Sequence, residues 1–175
     1  GYQGEAPIPE STPLRPLSEY GISKMAQEAV ALMHHTQNDS CVSIARPFNL
    51  AGPGQPESFI CGKLVRQVAD IEQQKKTALD LLETSSSRDI VDVRDVIRGY
   101  WAIISHPDFS GKCRGRAFNL GSGSAYPVSA IIRTLEEITN QHYPVNLPAG
   151  ILPPSIPSQR SDNAQITSLT GWRPE

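Results

Sequence analysis

Apolar residues recur at intervals of three and four from Ile22 through Met25, Ala26, Ala29 and Met33, the spacing that lines one side of a helix. Ser18 stands where a cap would accept a free amide, so a helix of about four turns is expected there, with its stripe packed on a core. Residues 41–46 switch to a period of two, Val42 and Ile44 against Ser43 and Ala45, which predicts a strand. Pro47, Gly52, Pro53, Gly54 and Pro56 then break the chain into a loop. Helical spacing returns over 57–75 with Ile60, Leu64, Val68 and Ile71. Residues 77–82 and 90–93 read as strands on either side of a turn at 84–87. A third helix, capped by Asp92, is expected to bury Ile97, Trp101 and Ile104. Residues 117–120 read as a strand, 121–124 as a turn, and 128–141 as a fourth helix through Ile131, Ile132, Leu135 and Ile138. Strands alternating with helices argue for an α/β protein. Residues 1–17 read as an extended surface segment, because Pro7, Pro9, Pro13 and Pro16 block helix, and the proline-rich stretch 147–157 reads as a connection.

Composition narrows the picture without naming a function. The 175 residues are 38% hydrophobic and 19% charged, ordinary values for one soluble domain. No apolar run approaches the length of a membrane span, and the first ten residues lack a basic-then-apolar leader pattern, so a cytoplasmic protein is expected. The net charge of −2, with scattered Lys and Arg, shows neither a nucleic-acid footprint nor a basic membrane patch, and a small-molecule partner is expected instead. Cys41, Cys61 and Cys113 are widely spaced and read as reduced thiols. No metal site is expected, since His34 and His35 are adjacent while His106 and His142 stand alone, and all four read as surface or packing residues.

Candidate chemistry begins with Tyr20 and Lys24, four apart and therefore neighbours on a helix, on the side opposite the Ile22–Met33 stripe. An ammonium beside a phenol favours the phenolate, and such a pair can move a proton at a carbinol oxygen. Two such residues also occur together on ordinary helix surfaces, so the pair takes its meaning from context. Asn49 reads either as a ligand or as a turn residue before Gly52. Arg88 offers a planar fork for a diphosphate, or a local ion pair with Asp89. Asp89, Asp92 and Asp95 read as turn, cap and first-turn carboxylates rather than metal ligands. Gly121-Ser122-Gly123-Ser124 lacks the longer pattern of a phosphate loop and reads as a strand-to-helix turn.

The context is a series of motifs in order. Pro13-Leu14-Arg15-Pro16-Leu17-Ser18-Glu19 precedes Tyr20-Gly21-Ile22-Ser23-Lys24, and Arg46-Pro47-Phe48-Asn49-Leu50-Ala51-Gly52-Pro53-Gly54 follows. Then come Arg88-Asp89-Ile90-Val91-Asp92-Val93-Arg94-Asp95-Val96, Phe118-Asn119-Leu120-Gly121-Ser122-Gly123 and Gly171-Trp172-Arg173-Pro174. This order resembles the extended short-chain dehydrogenase/reductases, the NAD-dependent epimerase/dehydratase family. Within it the stretches 66–72 and 98–101 are most similar to the branch of GDP-4-keto-6-deoxy-D-mannose reductases and GDP-mannose 4,6-dehydratases.

The resemblance implies a Rossmann-type doubly wound fold with a small substrate-binding subdomain. Residues 1–54 would belong to the Rossmann part, and 55–175 mainly to the subdomain, with segments near 90–120 returning to the Rossmann part. It implies NAD or NADP as cofactor and a nucleoside-diphosphate sugar as ligand, with a homodimer in the full-length protein. Tyr20 would be the general acid/base, Lys24 would lower its pKa and hold the nicotinamide ribose, and Pro47 and Phe48 would lie by the nicotinamide. Asn49, Arg88 and Arg160 would bind substrate. The family's Gly-x-x-Gly-x-x-Gly turn is not in the 175 residues, and its catalytic Ser/Thr would fall before Gly1. The chain is therefore expected to lack an N-terminal cofactor-binding half and to stop short just after Pro174, leaving an open sheet edge. The expected activity is reduction of a nucleoside-diphosphate 4-keto-6-deoxy sugar. A 4,6-dehydratase, a 4-epimerase or a non-catalytic nucleotide-sugar-binding fragment is the alternative.

Overall fold

The computed structural model describes residues 6–150 and 156–175. Its six helices are α1 (Glu19–Asn38), α2 (Ile60–Glu72), α3 (Val93–Ile104), α4 (Phe109–Lys112), α5 (Val128–Thr139) and α6 (Ala164–Thr170). The strands are short: β1 (Ile44–Pro47), β2 (Asn49–Ala51), β3 (Leu79–Asp80), β4 (Ser87–Arg88), β5 (Ile90–Asp92), β6 (Ala117–Leu120), β7 (Tyr126–Pro127), β8 (Val145–Asn146) and β9 (Ser158–Gln159). Pairing is mostly parallel, as alternating strands and helices require. β1 runs beside β6 from Ile44 opposite Ala117 to Pro47 opposite Leu120. β2 runs beside β5 from Asn49 opposite Ile90 to Ala51 opposite Asp92. β4 lies between β9, parallel, and β7, antiparallel, while β3 pairs with β8.

Two separate cores organise these elements. The first joins β5, β6, α3 and α6 through Val91, Val96, Ile103, Cys113, Phe118, Leu120, Ile166 and Trp172. Gly99 of α3 lets Leu120 come so close that a Cβ there would collide with it and crowd Trp172, and the Trp172 indole N–H donates to the Asp95 carbonyl at 2.9 Å. The second joins α2, β3 and α5 through Leu64, Val68, Leu79, Leu81, Val128, Ile132 and Tyr143. Here the sequence periodicity translates directly, since Leu64 and Val68 are buried and Ile60 and Ile71 pack beside them. Burying each such side chain contributes roughly 1.5–3 kcal/mol.

Elsewhere the structure corrects the expectations. α1 begins at its expected cap, with Ser18 Oγ accepting from the Gly21 amide at 3.1 Å, yet no residue of the helix is buried. Its stripe does not pack on a core: Ile22 is 53% exposed, and Met25 and Met33 are also exposed. Gly21, Glu28, Ala31, Leu32 and His35 are instead the half-buried side. In α3 the expected core residues Ile97, Trp101 and Ile104 are exposed, Trp101 at 67%, while Val96, Gly99 and Ile103 face the core. Ile138 of α5 is exposed as well. The expected loop after Pro47 contains β2, because Asn49–Ala51 finds β5 as a parallel partner, and the expected turn at 84–87 ends in β4. The extended segment before α1 is anchored: the Ile8 amide donates to the Arg160 carbonyl at 2.9 Å, and the Glu10 carboxylate accepts from the Asn119 amide at 2.8 Å. Part of the stretch 147–157 lies outside the described residues.

Candidate active site

The Ser18 cap sets Tyr20 in the first turn of α1, where its ring is 72% exposed. It lines a cleft of about 440 Å³ together with Pro47, Phe48 and Asn49. β1 and β2 bring those three residues to the same place because the chain passes between two parallel pairs there. The Phe48 amide still bonds the Leu120 carbonyl at 2.9 Å, and the Asn49 amide already bonds Asp89 at 3.1 Å. One turn along α1, the Lys24 ammonium lies over the Tyr20 ring, 5.6 Å from its centroid, and donates to Gln27 Oε1 at 3.2 Å. The arrangement is a cation over an aromatic face rather than an ammonium at the hydroxyl. Lys24 lines an adjoining cleft of about 640 Å³, shared with Tyr20 and walled by Ile44, Ala45, Pro47 and Tyr100.

One arginine-centred tether, not expected from sequence, ties α1 to β1 beside this cleft. Arg46 of β1 grips Glu28 of α1 with two nitrogens, its Nε at 3.0 Å, and donates through Nη1 to the Glu10 carbonyl at 2.8 Å. That pair is largely withdrawn from solvent, with side-chain exposures of 22% and 14%, so it is stronger than a surface ion pair. Arg88 follows a different course from the expected ion pair. It does not meet Asp89; its Nη1 donates to the Ser87 and Ile156 carbonyls at 2.9 and 2.8 Å. Burial pushes its pKa below the ordinary arginine value, while Glu83 pulls it back up.

Asp89 is fully buried. Its carboxylate accepts five hydrogen bonds: from the amide and hydroxyl of Ser122, the Gly123 amide, and the amide and hydroxyl of Ser161. The Gly121–Ser124 turn thus spends its Ser122 and Gly123 amides on a carboxylate of its own chain. Asp92 does cap α3, and Asp95 lies in its first turn, held by Arg98 and by the Glu175 amide at 3.1 Å. Among the described residues no group of three His, Cys, Asp or Glu could hold a metal, and no helix is long and apolar enough to cross a membrane.

Of the residues singled out in the sequence, then, Tyr20, Pro47, Phe48 and Asn49 share one cleft and Lys24 stands at its border. Arg88 and Arg160 line neither cleft. Arg88 sits in register beside Gln159, which does line it. Arg160 contributes its carbonyl to Ile8, and its Nε is buried without a partner among the described residues. Asn49 is a strand residue rather than a turn residue. Its Nδ2 donates to the Asp89 carbonyl at 2.9 Å and to Gln159 Oε1 at 3.3 Å. No local pattern marks Gln159, because it reaches the cleft only through pairing with a strand some seventy residues earlier. An exposed phenol and ammonium beside an aromatic and amide wall can exchange a proton with an oxygen seated in the cleft.

A protein-family model described as GDP-mannose 4,6 dehydratase matches residues 1–175. The GDP-6-deoxy-D-mannose reductase of Pseudomonas aeruginosa is 32% identical over 171 residues, covering 97% of this chain and 55% of the relative. The structure of RMD from Pseudomonas aeruginosa complexed with NADPH superposes with a TM-score of 0.86 at 30% identity, over 97% of this chain and 55% of that one. MoeE5 in complex with UDP-glucuronic acid and NAD gives 0.81 at 27% identity, over 100% of this chain and 56% of the other. The chain thus spans about half the length of the relatives it matches. It belongs to the NAD-dependent epimerase/dehydratase family of the extended short-chain dehydrogenase/reductases, which act on nucleotide sugars.

Proposed function

We propose that this chain carries the proton-transfer and substrate-holding part of an NAD(P)-dependent enzyme that reduces a nucleoside-diphosphate 4-keto-6-deoxy sugar. The observation that carries this reading is the placement of Tyr20: exposed, in the first turn of α1, with Lys24 one turn on and Pro47, Phe48 and Asn49 across the cleft. The phenol hydroxyl gives a proton to the sugar C4 oxygen as the carbonyl is reduced. Asn49 and Arg88 hold the substrate, Arg88 toward the diphosphate, where a permanently charged fork is suited. Arg160 is the weakest of the assigned ligands, since its carbonyl and buried Nε are turned into the fold.

The cofactor reading fits the second cleft. Its wall of Ile44, Ala45 and Pro47 is apolar, as a nicotinamide face requires, and Lys24 retains N–H groups beyond the one given to Gln27. Tyr20 and Lys24 would hold the nicotinamide ribose, with Pro47 and Phe48 beside the ring, and the bound nicotinamide supplies the hydride. Relatives are known with NADPH and with NAD, and either is compatible with these residues. The matching family model favours one second reading, a 4,6-dehydratase, in which the same tyrosine removes the proton from the C4 hydroxyl.

The test is reconstitution of this chain with the part of the Pseudomonas aeruginosa reductase that it does not match, supplied with GDP-4-keto-6-deoxy-D-mannose and NADPH. Turnover is expected, and Tyr20→Phe should lower it by about 10²–10⁴-fold. Equal turnover in the variant would remove Tyr20 from the chemistry. Turnover of GDP-mannose instead of the keto sugar would select the dehydratase.

A further inference from the structure

The first turn of α2 has no side-chain cap of its own. Phe59 stands at the cap position with an extended backbone, and its ring offers no acceptor to the free amides of the helix start. The acceptor comes from the preceding loop instead, where Gln55 Oε1 takes the Gly62 amide at 3.1 Å. The other end of the same side chain donates, Nε2 reaching the Leu50 carbonyl of β2. A carbonyl only accepts and a backbone N–H only donates, so both partners demand the same orientation of the Gln55 amide. Gly62 makes the close approach possible. A Cβ there would lie 2.4 Å from the Pro56 carbonyl oxygen and 2.6 Å from that of Gln55, so any side chain would lift the turn off the loop.

These contacts join two parts of the cleft. Leu50 follows Asn49 in β2 and packs against the first core, whereas Ile60 follows Phe59 and packs against the second. Asn49, Leu50, Gln55 and Phe59 all line the Tyr20 cleft, and the Phe59 side chain is 57% exposed. We propose that Gln55 is a positioning residue: by tying the Leu50 carbonyl to the first turn of α2, it holds Phe59 in place as a wall of the cleft beside the Asn49 strand. It acts on a bound molecule through Phe59. The inference rests on the nucleotide-sugar reading above only for the identity of that molecule.

Two measurements test it. The first is thiol reactivity with DTNB in a Cys41→Ser background, which leaves half-buried Cys61 in the first turn of α2 and buried Cys113 in the first core. Gln55→Leu and Gly62→Ala, each in that background, should speed the Cys61 reaction about tenfold, the worth of roughly one neutral hydrogen bond, while Cys113 is unchanged. Helix propensity alone gives Gly62→Ala the opposite sign, since alanine is the better helix former. An unchanged Cys61 rate, or equal acceleration of both thiols, would overturn the inference.

The second measurement is calorimetric titration with GDP-mannose in a double-variant cycle. Gln55→Leu and Phe59→Ala are each expected to weaken binding about tenfold, and the double variant no more than Phe59→Ala alone. Additive losses, or full affinity in Gln55→Leu, would also overturn it. A wild type that does not bind GDP-mannose would overturn the nucleotide-sugar reading, and the thiol rates would then decide the role of Gln55 by themselves.

Discussion

The two walls of the Tyr20 cleft are held by different physics. The strand wall, carrying Phe48, Asn49 and Gln159, is tied down by ladder hydrogen bonds and by the Asp89 carboxylate, which joins β4–β5, the turn after β6 and the residues after β9 at one buried point. The helix wall is α1, which buries no side chain and is positioned chiefly by polar tethers, above all the Arg46–Glu28 pair. The difference shows that precision at a site need not come from a hydrophobic core, and that the two catalytic candidates, Tyr20 and Lys24, ride on the less constrained side. Loops and helices held by few contacts open more easily than core elements.

The contrast can be broken most forcefully at Asp89. Asp89→Ala leaves the amides of Ser122 and Ser161 without their acceptor, each at a cost of roughly 1–3 kcal/mol, and the Gly123 amide with Ser161 Oγ alone, so a loss of about 3 kcal/mol is expected in urea unfolding. A loss below about 1 kcal/mol would mean that the strand wall does not depend on this buried point. Arg46→Ala probes the opposite wall. It should cost about 2 kcal/mol, because it leaves a half-buried Glu28 without its partner. Its effect should be local: hydrogen exchange should rise across 19–38 while the β1–β6 amides keep their protection. Uniform acceleration everywhere would show that α1 and the strands open together.

A smaller effect belongs to Asp92 at the end of the strand wall, where the side chain and backbone of Arg94 hold its carboxyl at about 2 against an ordinary 3.8. A depressed carboxyl stabilises the fold above its unfolded value and loses that contribution on protonation. The cap of α3 should therefore be fully effective above about pH 4 and fade as the pH falls toward 2. Asp92→Asn should flatten that part of the acid limb of the unfolding midpoint. An unchanged limb would assign acid sensitivity to other carboxylates.

The sequence made much of the scaffold legible and left the packing partners hidden. α2 was readable because most of its bulky apolar residues, Ile60, Leu64, Val68 and Ile71, occupy one arc, with Val65 alone standing in solvent. α3 carries two arcs: Val96, Gly99 and Ile103 on one, Ile97, Trp101 and Ile104 on the other. Counting bulky residues picks the wrong one. The better signal was Gly99, whose missing side chain marks the side where Leu120 and Trp172 press in. β2 was hidden because Pro and Gly surround it, and a parallel partner forty residues away overrides that local composition. In the candidate site, the order of motifs singled out Tyr20, Pro47, Phe48 and Asn49, which share one cleft, and Lys24, which lines the adjoining one. Asp89 read as a turn carboxylate or as the partner in a local ion pair with Arg88, and Gln159 not at all, since both act through strand register and no spacing along the chain encodes it.

The gentlest substitution bears most directly on the helix wall. Ile22 and Met33 follow the spacing of a buried stripe, yet both stand in solvent on the side of α1 away from Tyr20. If the face is open, replacing them with Ser and Gln removes no contact, and each change should alter stability by less than about 0.5 kcal/mol. That result would show that this face contributes nothing to holding α1, leaving its tethers and the half-buried side with Ala31 and Leu32 to do so. If instead the double variant loses 2 kcal/mol or more, and the wild type's stability rises with protein concentration while the variant's does not, the stripe is covered in solution by a second copy of the chain. Burial would then hold both walls, α1 through a neighbour and the strands through their own fold, and the contrast between them would be one of partner rather than of physics.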